Sequence, residues 1–161
     1  MTTRSTRTTL RAATALVSAA ALVGVSAAPA LTHSTSGRSL KATMSGADEV
    51  SATGQMGVGD PDGTGTARIF INSGQNRLCY TLRVKNIDAA AAAHIHEAKA
   101  GVAGPIVVSL TAPDANGLAR GCVTVKRADL RDIRRNPKMY YVNVHNAMYP
   151  GGAVRGQLSK R

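Results

Sequence analysis

The feature that most constrains this fold is an alternation of apolar and polar residues with a period of two. It is clearest in residues 77–85, where every second position is apolar: Leu78, Tyr80, Leu82 and Val84. Because successive side chains of a β-strand point to opposite faces, this pattern predicts a strand with one buried and one exposed face. Residues 65–72 alternate in the same way, and the Ser-Gly-Gln-Asn segment between the two predicts a turn. The two segments are therefore predicted to form a β-hairpin.

The same alternation of apolar and polar residues covers most of the remaining chain. Short segments between Gly, Asn, Asp and Pro predict strands at residues 40–45, 93–97, 105–110, 118–126, 139–146 and 153–158. Residues 89–93 are five alanines, too few for an independent helix, and predict a loop or a single turn. Residues 128–136 are the one helix candidate, because Leu130 and Ile133 are three positions apart and Pro137 follows. About eight strands at this spacing indicate an all-β fold, an antiparallel Greek-key β-sandwich with one short helix.

The first thirty residues have the pattern of a secretory signal peptide. A basic stretch with three arginines precedes a small and apolar run at residues 12–28 and an Ala-Pro-Ala cleavage pattern that ends at Ala30. We expect cleavage after Ala30, with the alanines two and three positions earlier as alternatives. A transmembrane anchor would need about 20 apolar residues, more than this run provides. Residues 31–39 are rich in Ser and Thr, which predicts a disordered lead-in to a domain at residues 40–160. The mature protein is expected to be secreted, without a transmembrane span.

Secretion changes how the two cysteines are interpreted. In an oxidising compartment, two cysteines usually form one disulfide, here between Cys79 and Cys122. Such a bond would close a loop of about 43 residues and stabilise the fold by roughly 4 kcal/mol in the chain-entropy description. The alternative is a pair of free buried thiols. No Cys-x-x-Cys pattern of a redox or zinc site is present.

Positive charge suggests an anionic partner. The formal net charge is +11, and removing the three signal-peptide arginines leaves +8. The excess is concentrated at residues 120–138. The predicted helix and the residue before it carry four arginines, several of them on one face: Arg127, Arg131, Arg134 and Arg135. We expect an anionic cell-wall polymer or another extracellular protein to bind there, the alternative being a merely solvated helix face. Nucleic acid is not expected, since no aromatic residues are interleaved with these arginines.

Three of the four histidines lie in two predicted strands. His94 and His96 are two positions apart, so both imidazoles point to the same face of a strand. His145 shares a face with Tyr141 and Asn143 in the penultimate strand. If the two strands are neighbours, three imidazoles converge into a set that suits copper or zinc.

The alternative for these histidines is a polar network that locks loops through hydrogen bonds to backbone and to Asn143. Glu49 and Arg155 are candidates to join it, as loop-bracing or ligand-binding residues. Hydrolase, phosphate-loop and dinucleotide-binding motifs are absent from the sequence.

Three sequence blocks resemble the CHRD, or chordin-type, domain family. They are the Ala-His-Ile-His segment at 93–96 with residues 101–110, the Tyr-Tyr-Val-Asn-Val-His segment at 140–145 with residues 150–158, and residues 46–50 with their acidic pair. The blocks occur in the family's order, over roughly residues 40–158. One position departs from the pattern: Ala98 stands where the family usually has Gly, which predicts a positive φ there.

The resemblance implies a β-sandwich of a kind found in secreted bacterial proteins and, as repeats, in the animal antagonist chordin. It implies no particular catalytic activity. The His-x-His strand is similar to the copper-binding strand of Cu/Zn superoxide dismutase, an analogy of architecture only. The first hypothesis is therefore a non-enzymatic binding or structural module in which the histidines, Asn143 and Arg155 brace loops. The second is a mononuclear copper protein, less readily a zinc protein, with His94, His96 and His145 as ligands.

Overall fold

Alternating sequence segments become strands throughout the computed structural model, which describes Met1 and residues 39–161. The strands are β1 Ser39–Ser45, β2 Thr64–Asn72, β3 Arg77–Lys85, β4 Ala90–Glu97, β5 Ile106–Leu110, β6 Leu118–Thr124, β7 Tyr140–Asn146, β8 Val154–Gln157 and β9 Ser159–Lys160. One α-helix, α1 Arg127–Arg135, precedes a short 3-10 helix at Pro137–Met139. The all-β prediction with one short helix is confirmed. The signal peptide and lead-in predicted for residues 1–39 lie almost wholly outside the described residues.

The strands form one antiparallel sheet that consists of two halves. Its order is β5-β4-β7-β8-β1-β2-β3-β6, and β9 pairs with β1 off this path. The halves meet at β8 and β1, which share the single residue pair Ser45 and Arg155. The first half contains β1, β2, β3 and β6, and the second contains β4, β5, β7 and β8. The chain crosses to the second half after β3, returns for β6, crosses again for β7 and β8, and ends in β9 beside β1. The result is a nearly closed sandwich.

The core lies between the two half-sheets. Alternate residues of β2 and β3 are buried, including Ile69, Leu78 and Leu82, as the period of two predicts. They share one apolar cluster with Ile95 of β4 and Val142 of β7, from the other half. Apolar core side chains thus occupy the inner faces of both half-sheets. Polar side chains that matter for function must therefore lie on the outer faces or in loops.

The helix adds apolar side chains to the same core. Leu130 and Ile133 of α1 are fully buried, as their spacing predicts. The helix begins and ends one residue earlier than predicted from sequence. None of the described helices is long and apolar enough to cross a membrane.

Cys79 and Cys122 form a disulfide, which confirms the predicted pairing. They lie directly opposite each other on β3 and β6, so the bond ties the edge strand β6 to its neighbour. Cys122 is exposed on the outer face of this half-sheet.

Two local predictions are wrong. The alanine run was expected to be a loop or single turn, but Ala90 to Ala93 belong to β4 and pair with β7 and β5. Alanine by itself favours helix over strand, and the pairing with the neighbouring strands overrides that preference. Ala98 was expected to have a positive φ, but only Asn76 and Asn86 do so among the described non-glycine residues. Gly101 has the positive φ in that loop instead.

Candidate metal centre

The pairing of β4 with β7 brings the three predicted histidines together. His94 lies opposite Asn143, His96 opposite Tyr141, and His145 opposite Ala92. Directly opposed residues of an antiparallel pair point to the same face. All of these side chains therefore project from the outer face of the β4–β7 half-sheet, away from Ile95 and Val142 in the core.

The nitrogens of the three imidazoles are close together, and hydrogen bonds to backbone carbonyls orient two of the rings. Nδ1 of His94 and Nε2 of His145 are 3.0 Å apart, and one nitrogen from each of His94, His96 and His145 lies within 4.8 Å of the others. His145 donates its Nδ1–H to the Pro150 carbonyl at 3.0 Å, and His96 donates its Nδ1–H to the Gly104 carbonyl at 2.9 Å. These bonds fix the tautomers, so that Nε2 of both rings carries a lone pair.

Burial favours the neutral form of the three imidazoles. It is the main cause that lowers the pKa of each of them below the usual value for histidine. In His94 the neighbouring imidazoles lower the pKa further, because a second positive charge nearby is unfavourable. Neutral imidazole is the form that binds a metal ion.

Tyr141 lies between His96 and Arg155 in a stack of three planar groups. Its ring is parallel to His96 within 8° at a centroid distance of 4.7 Å. The guanidinium carbon of Arg155 lies 3.4 Å from the ring centroid on the tyrosine face, which is a cation–π contact. Arg155 is 1% exposed, and its Nη2 donates to the carbonyls of Lys99 and Val102 at 3.1 and 2.9 Å. The stack therefore anchors the loop after β4 over the histidine strand.

Glu49 holds a second loop against the same face. Its carboxylate accepts hydrogen bonds from the Asn143 amide and from the Val50 backbone N–H. Burial raises the pKa of Glu49, while the Val50 N–H, Arg155 and Asn143 oppose that change. Gly152 lies against this pair with φ 145°, where an added Cβ would overlap both the carboxylate and the amide. The loops at Glu49 and Gly152 thus pack together over Asn143.

An open cavity of about 440 Å³ adjoins the histidines. His96, Tyr141, Glu49 and Met148 line the cavity together with loop residues. Five buried side-chain polar atoms in the described part of the chain have no hydrogen-bond partner, and three of them belong here: His96 Nε2, Asn143 Oδ1 and Arg155 Nη1. Buried polar atoms are rarely left unpaired, so this concentration indicates a place where a ligand or ion binds.

The predicted arginines of α1 do not form a single group. Arg127, Arg131 and Arg134 line a hollow of about 230 Å³ beside the β2–β3 turn. Arg135 instead lies by Lys138 and Lys160. The structure therefore divides the predicted anionic-partner surface into two.

Several residues of the site were not recognised as functional from the sequence. The alternation in β7 already predicted that Tyr141 shares a face with His145, but it gave no sign of the stack with Arg155. The carbonyls of Gly104 and Pro150 and the thioether of Met148 lie in loops, whose course no periodicity predicts. Gly152 had no sequence signal beyond its place in a family block.

The comparisons agree with this architecture. A family model, the CHRD domain, matches residues 40–158. No curated protein and no solved structure gives a significant match, so the likeness to Cu/Zn superoxide dismutase stays an analogy. The matched segment spans β1 to β8 and includes every residue of the histidine site. The chain therefore belongs to the CHRD domain family.

Proposed function

We propose that this protein binds a single copper ion through His94, His96 and His145. The observation that carries the proposal is the Nε2 atom of His96, a buried imidazole nitrogen with no hydrogen-bond partner. Its ring is 9% exposed, so water compensates little for the missing partner. A lone pair in that position is costly unless it binds a proton donor or a cation.

The hydrogen bonds of the three rings support the same assignment. Metal-binding histidines commonly donate their second ring N–H to a carbonyl, and His96 and His145 do so with Gly104 and Pro150. Two bonds of about 2.0 Å to one ion span at most about 4 Å, close to the 4.8 Å within which the nitrogens lie. His94 donates its Nδ1–H to His145 Nε2, and for Nδ1 to bind the ion this proton would move to Nε2 of the same ring, with no net release of a proton.

Copper suits the set better than zinc. Nitrogen ligands bind Cu²⁺ more tightly than Zn²⁺ in the general order of stabilities. Met148 lies in the cavity that His96 lines and is 70% exposed, and thioethers bind Cu(I) rather than hard or borderline ions. Copper, when bound, would supply an exchangeable or redox-active cation, while the protein residues hold and orient its ligands.

The loop-bracing hypothesis is compatible with this function. Glu49, Asn143 and Arg155 hold the loops that surround the histidines, through the contacts described above. We propose binding and handling of copper as the role, with the braced loops keeping the site in one shape. We also propose that the chain is exported through residues 1–30 and acts outside the cytoplasm; the basic and apolar start of the chain and the disulfide support this.

The test is an equilibrium titration with Cu(II) and Zn(II), in which binding is measured by calorimetry. The account predicts one copper per chain, with Cu(II) bound more tightly than Zn(II). His145→Ala and His96→Gln should each weaken Cu(II) binding roughly 100-fold or more, since even outer hydrogen-bond partners of metal ligands are worth 10–100-fold. His96→Gln keeps a group that can hydrogen-bond to Gly104, which protects the fold.

The control is Arg120→Gln, which removes an exposed side chain of β6 in the other half-sheet and should leave copper affinity unchanged. The parent and all variants used for copper measurements carry His33→Ala, because cleavage after Ala30 would place His33 third from a free amino terminus, a position that binds Cu(II) on its own. Equal weakening by all three substitutions would contradict the proposal, as would the absence of one-to-one binding in a chain that melts normally.

A further inference from the structure

The outer face of the other half-sheet is strongly and uniformly basic. Strands β1, β2, β3 and β6 contain no Asp or Glu at all. Their exposed positions carry six cations: Lys41, Arg68, Arg77, Arg83, Lys85 and Arg120. The core faces of these strands are apolar, so every charge in the half-sheet lies on one side.

The register of the strands gathers these cations into a block. Lys41 lies opposite Arg68, which lies opposite Thr81, which in turn lies opposite Arg120. This row crosses all four strands. Arg83 lies opposite Thr66, two residues along the strands from the row. Strands are about 4.8 Å apart and residues on one face about 6.7 Å apart, so neighbouring cations of this block lie about 5–10 Å from one another.

The remaining exposed side chains favour a polar ligand. Most are Ser and Thr, which supply hydroxyl groups between the cations. Phe70 is the one aromatic residue on this face and is 39% exposed. Recognition of single-stranded nucleic acid relies on several stacking aromatics, which this face does not offer.

We propose that this half-sheet face, defined by Lys41, Arg68, Arg83 and Arg120, binds a linear polymer whose repeating charge is a phosphate. Arginine forms paired hydrogen bonds with phosphate oxygens, and three of these four residues are arginines. A row of residues that crosses four strands can contact an extended chain along its length. The inference is independent of the copper site, which lies on the outer face of the opposite half-sheet.

The helix is a weaker candidate for the same ligand. Arg127, Arg131 and Arg134 line a hollow of only about 230 Å³, and α1 also carries Asp129 and Asp132. The half-sheet face has no acidic residue in its strands. This moves the predicted binding of an anionic polymer from the helix to the sheet.

The experiment measures the affinity of the protein, without an added N-terminal tag, for long-chain inorganic polyphosphate. The salt concentration is varied from 50 to 300 mM. The half-sheet variant is Arg68→Gln, Arg83→Gln and Arg120→Gln. Its charge-matched control is Arg127→Gln, Arg131→Gln and Arg134→Gln. All six side chains are exposed or half-exposed, and unchanged melting temperatures establish that both variants fold.

We expect the half-sheet variant to lose at least tenfold in affinity and the helix variant less than threefold. Loss of three phosphate contacts should also reduce the slope of log affinity against log salt by roughly 2. Heparin and single-stranded DNA, measured in the same way, should bind more weakly than polyphosphate. Equal losses in the two variants, salt-insensitive binding, no binding, or tighter binding of heparin or DNA would each overturn the proposal.

Discussion

Gly152 shows how closely the loops around the histidines are fitted. Its φ of 145° is unfavourable for other residues, and a Cβ there would overlap the carboxylate of Glu49 and the amide of Asn143. Gly152→Ala must therefore break that hydrogen bond or move the loop. We expect it to lower the free energy of unfolding by about 2–4 kcal/mol, from strain and loss of a buried hydrogen bond.

The matched control for this prediction is the preceding residue. Nothing lies within 4 Å of a Cβ built at Gly151, and its φ is not positive. Urea unfolding should show Gly151→Ala within about 0.5 kcal/mol of the parent, as is usual for exposed substitutions. If the two alanine variants are equally stable, the packing described for Gly152 is incorrect.

Tyr140, which is buried, and Asp132, which is half-buried, form a pair whose strength depends on pH. Tyr140 donates a hydrogen bond to the Asp132 carboxylate, which lowers the pKa of Asp132 below its ordinary 3.8. Burial and this carboxylate raise the pKa of Tyr140. Because the folded-state pKa of Asp132 is depressed, the stabilisation is complete above the ordinary carboxyl pKa and is lost as the pH falls through the lowered one.

Tyr140→Phe should therefore cost about 1–2 kcal/mol at pH 7 and less at pH 3, measured by urea unfolding at both values. Tyr80→Phe is the control, since its hydroxyl donates to Thr111 Oγ1 at 2.9 Å with no charged partner. Its cost should be the same at both pH values. A cost for Tyr140→Phe that stays constant or grows on acidification would contradict the assignment.

At the residue scale, the sequence predicted which side chains share a strand face, but not which strands are neighbours or how the side chains touch. Strand alternation placed His94 with His96 and Tyr141 with His145, because a period of two leaves no other arrangement. The contact of Arg155 with Tyr141 depends on the pairing of β8 with β7, in which Arg155 lies opposite Asn143, and no local pattern encodes that register. Similarly, Ala98 adopts ordinary backbone angles because Gly101 supplies the left-handed position of that loop.

Among the elements, the edge strand β6 depends most on a covalent bond. It pairs only with β3, and Cys122 joins it to Cys79. The closed loop spans 43 residues, which corresponds to roughly 4 kcal/mol of stabilisation. Cys79→Ser with Cys122→Ser should lower the unfolding free energy by about that amount.

The same variant should leave copper affinity within threefold of the parent, because the histidines lie on β4 and β7 in the other half-sheet. Reductant should destabilise the parent to a similar extent and have no effect on the serine variant. A loss below about 1 kcal/mol, or a large change in copper affinity, would show that the two halves are coupled differently.

The elements were predictable where packing and alternation agree. In β2 and β3 the apolar residues occupy one face, and the observed hairpin follows the predicted one almost residue by residue. The prediction for the alanine run was wrong because this segment has no alternation of apolar and polar residues. Ala92 and Ala93 become part of a strand by pairing with His145 and Val144. The helix was predictable because Leu130 and Ile133 alone in that segment have helical spacing and Pro137 ends it.

At the scale of the whole molecule, the two outer faces differ in chemistry. One presents histidines beneath braced loops, and the other presents cations without acidic residues. Both faces are available because the inner faces of the half-sheets share one apolar core. The net charge of +11 alone suggested a single anionic partner, whereas the fold separates a candidate metal site from a candidate polyanion surface.

The central claim is that three imidazoles from two paired strands bind one copper ion. It is tested most directly by electron paramagnetic resonance of the chain loaded with one equivalent of Cu(II). The account predicts a single mononuclear signal with coupling to three histidine nitrogens, reduced to two in His145→Ala. A spectrum without histidine coupling, or one that is identical in the parent and in His145→Ala, would contradict it.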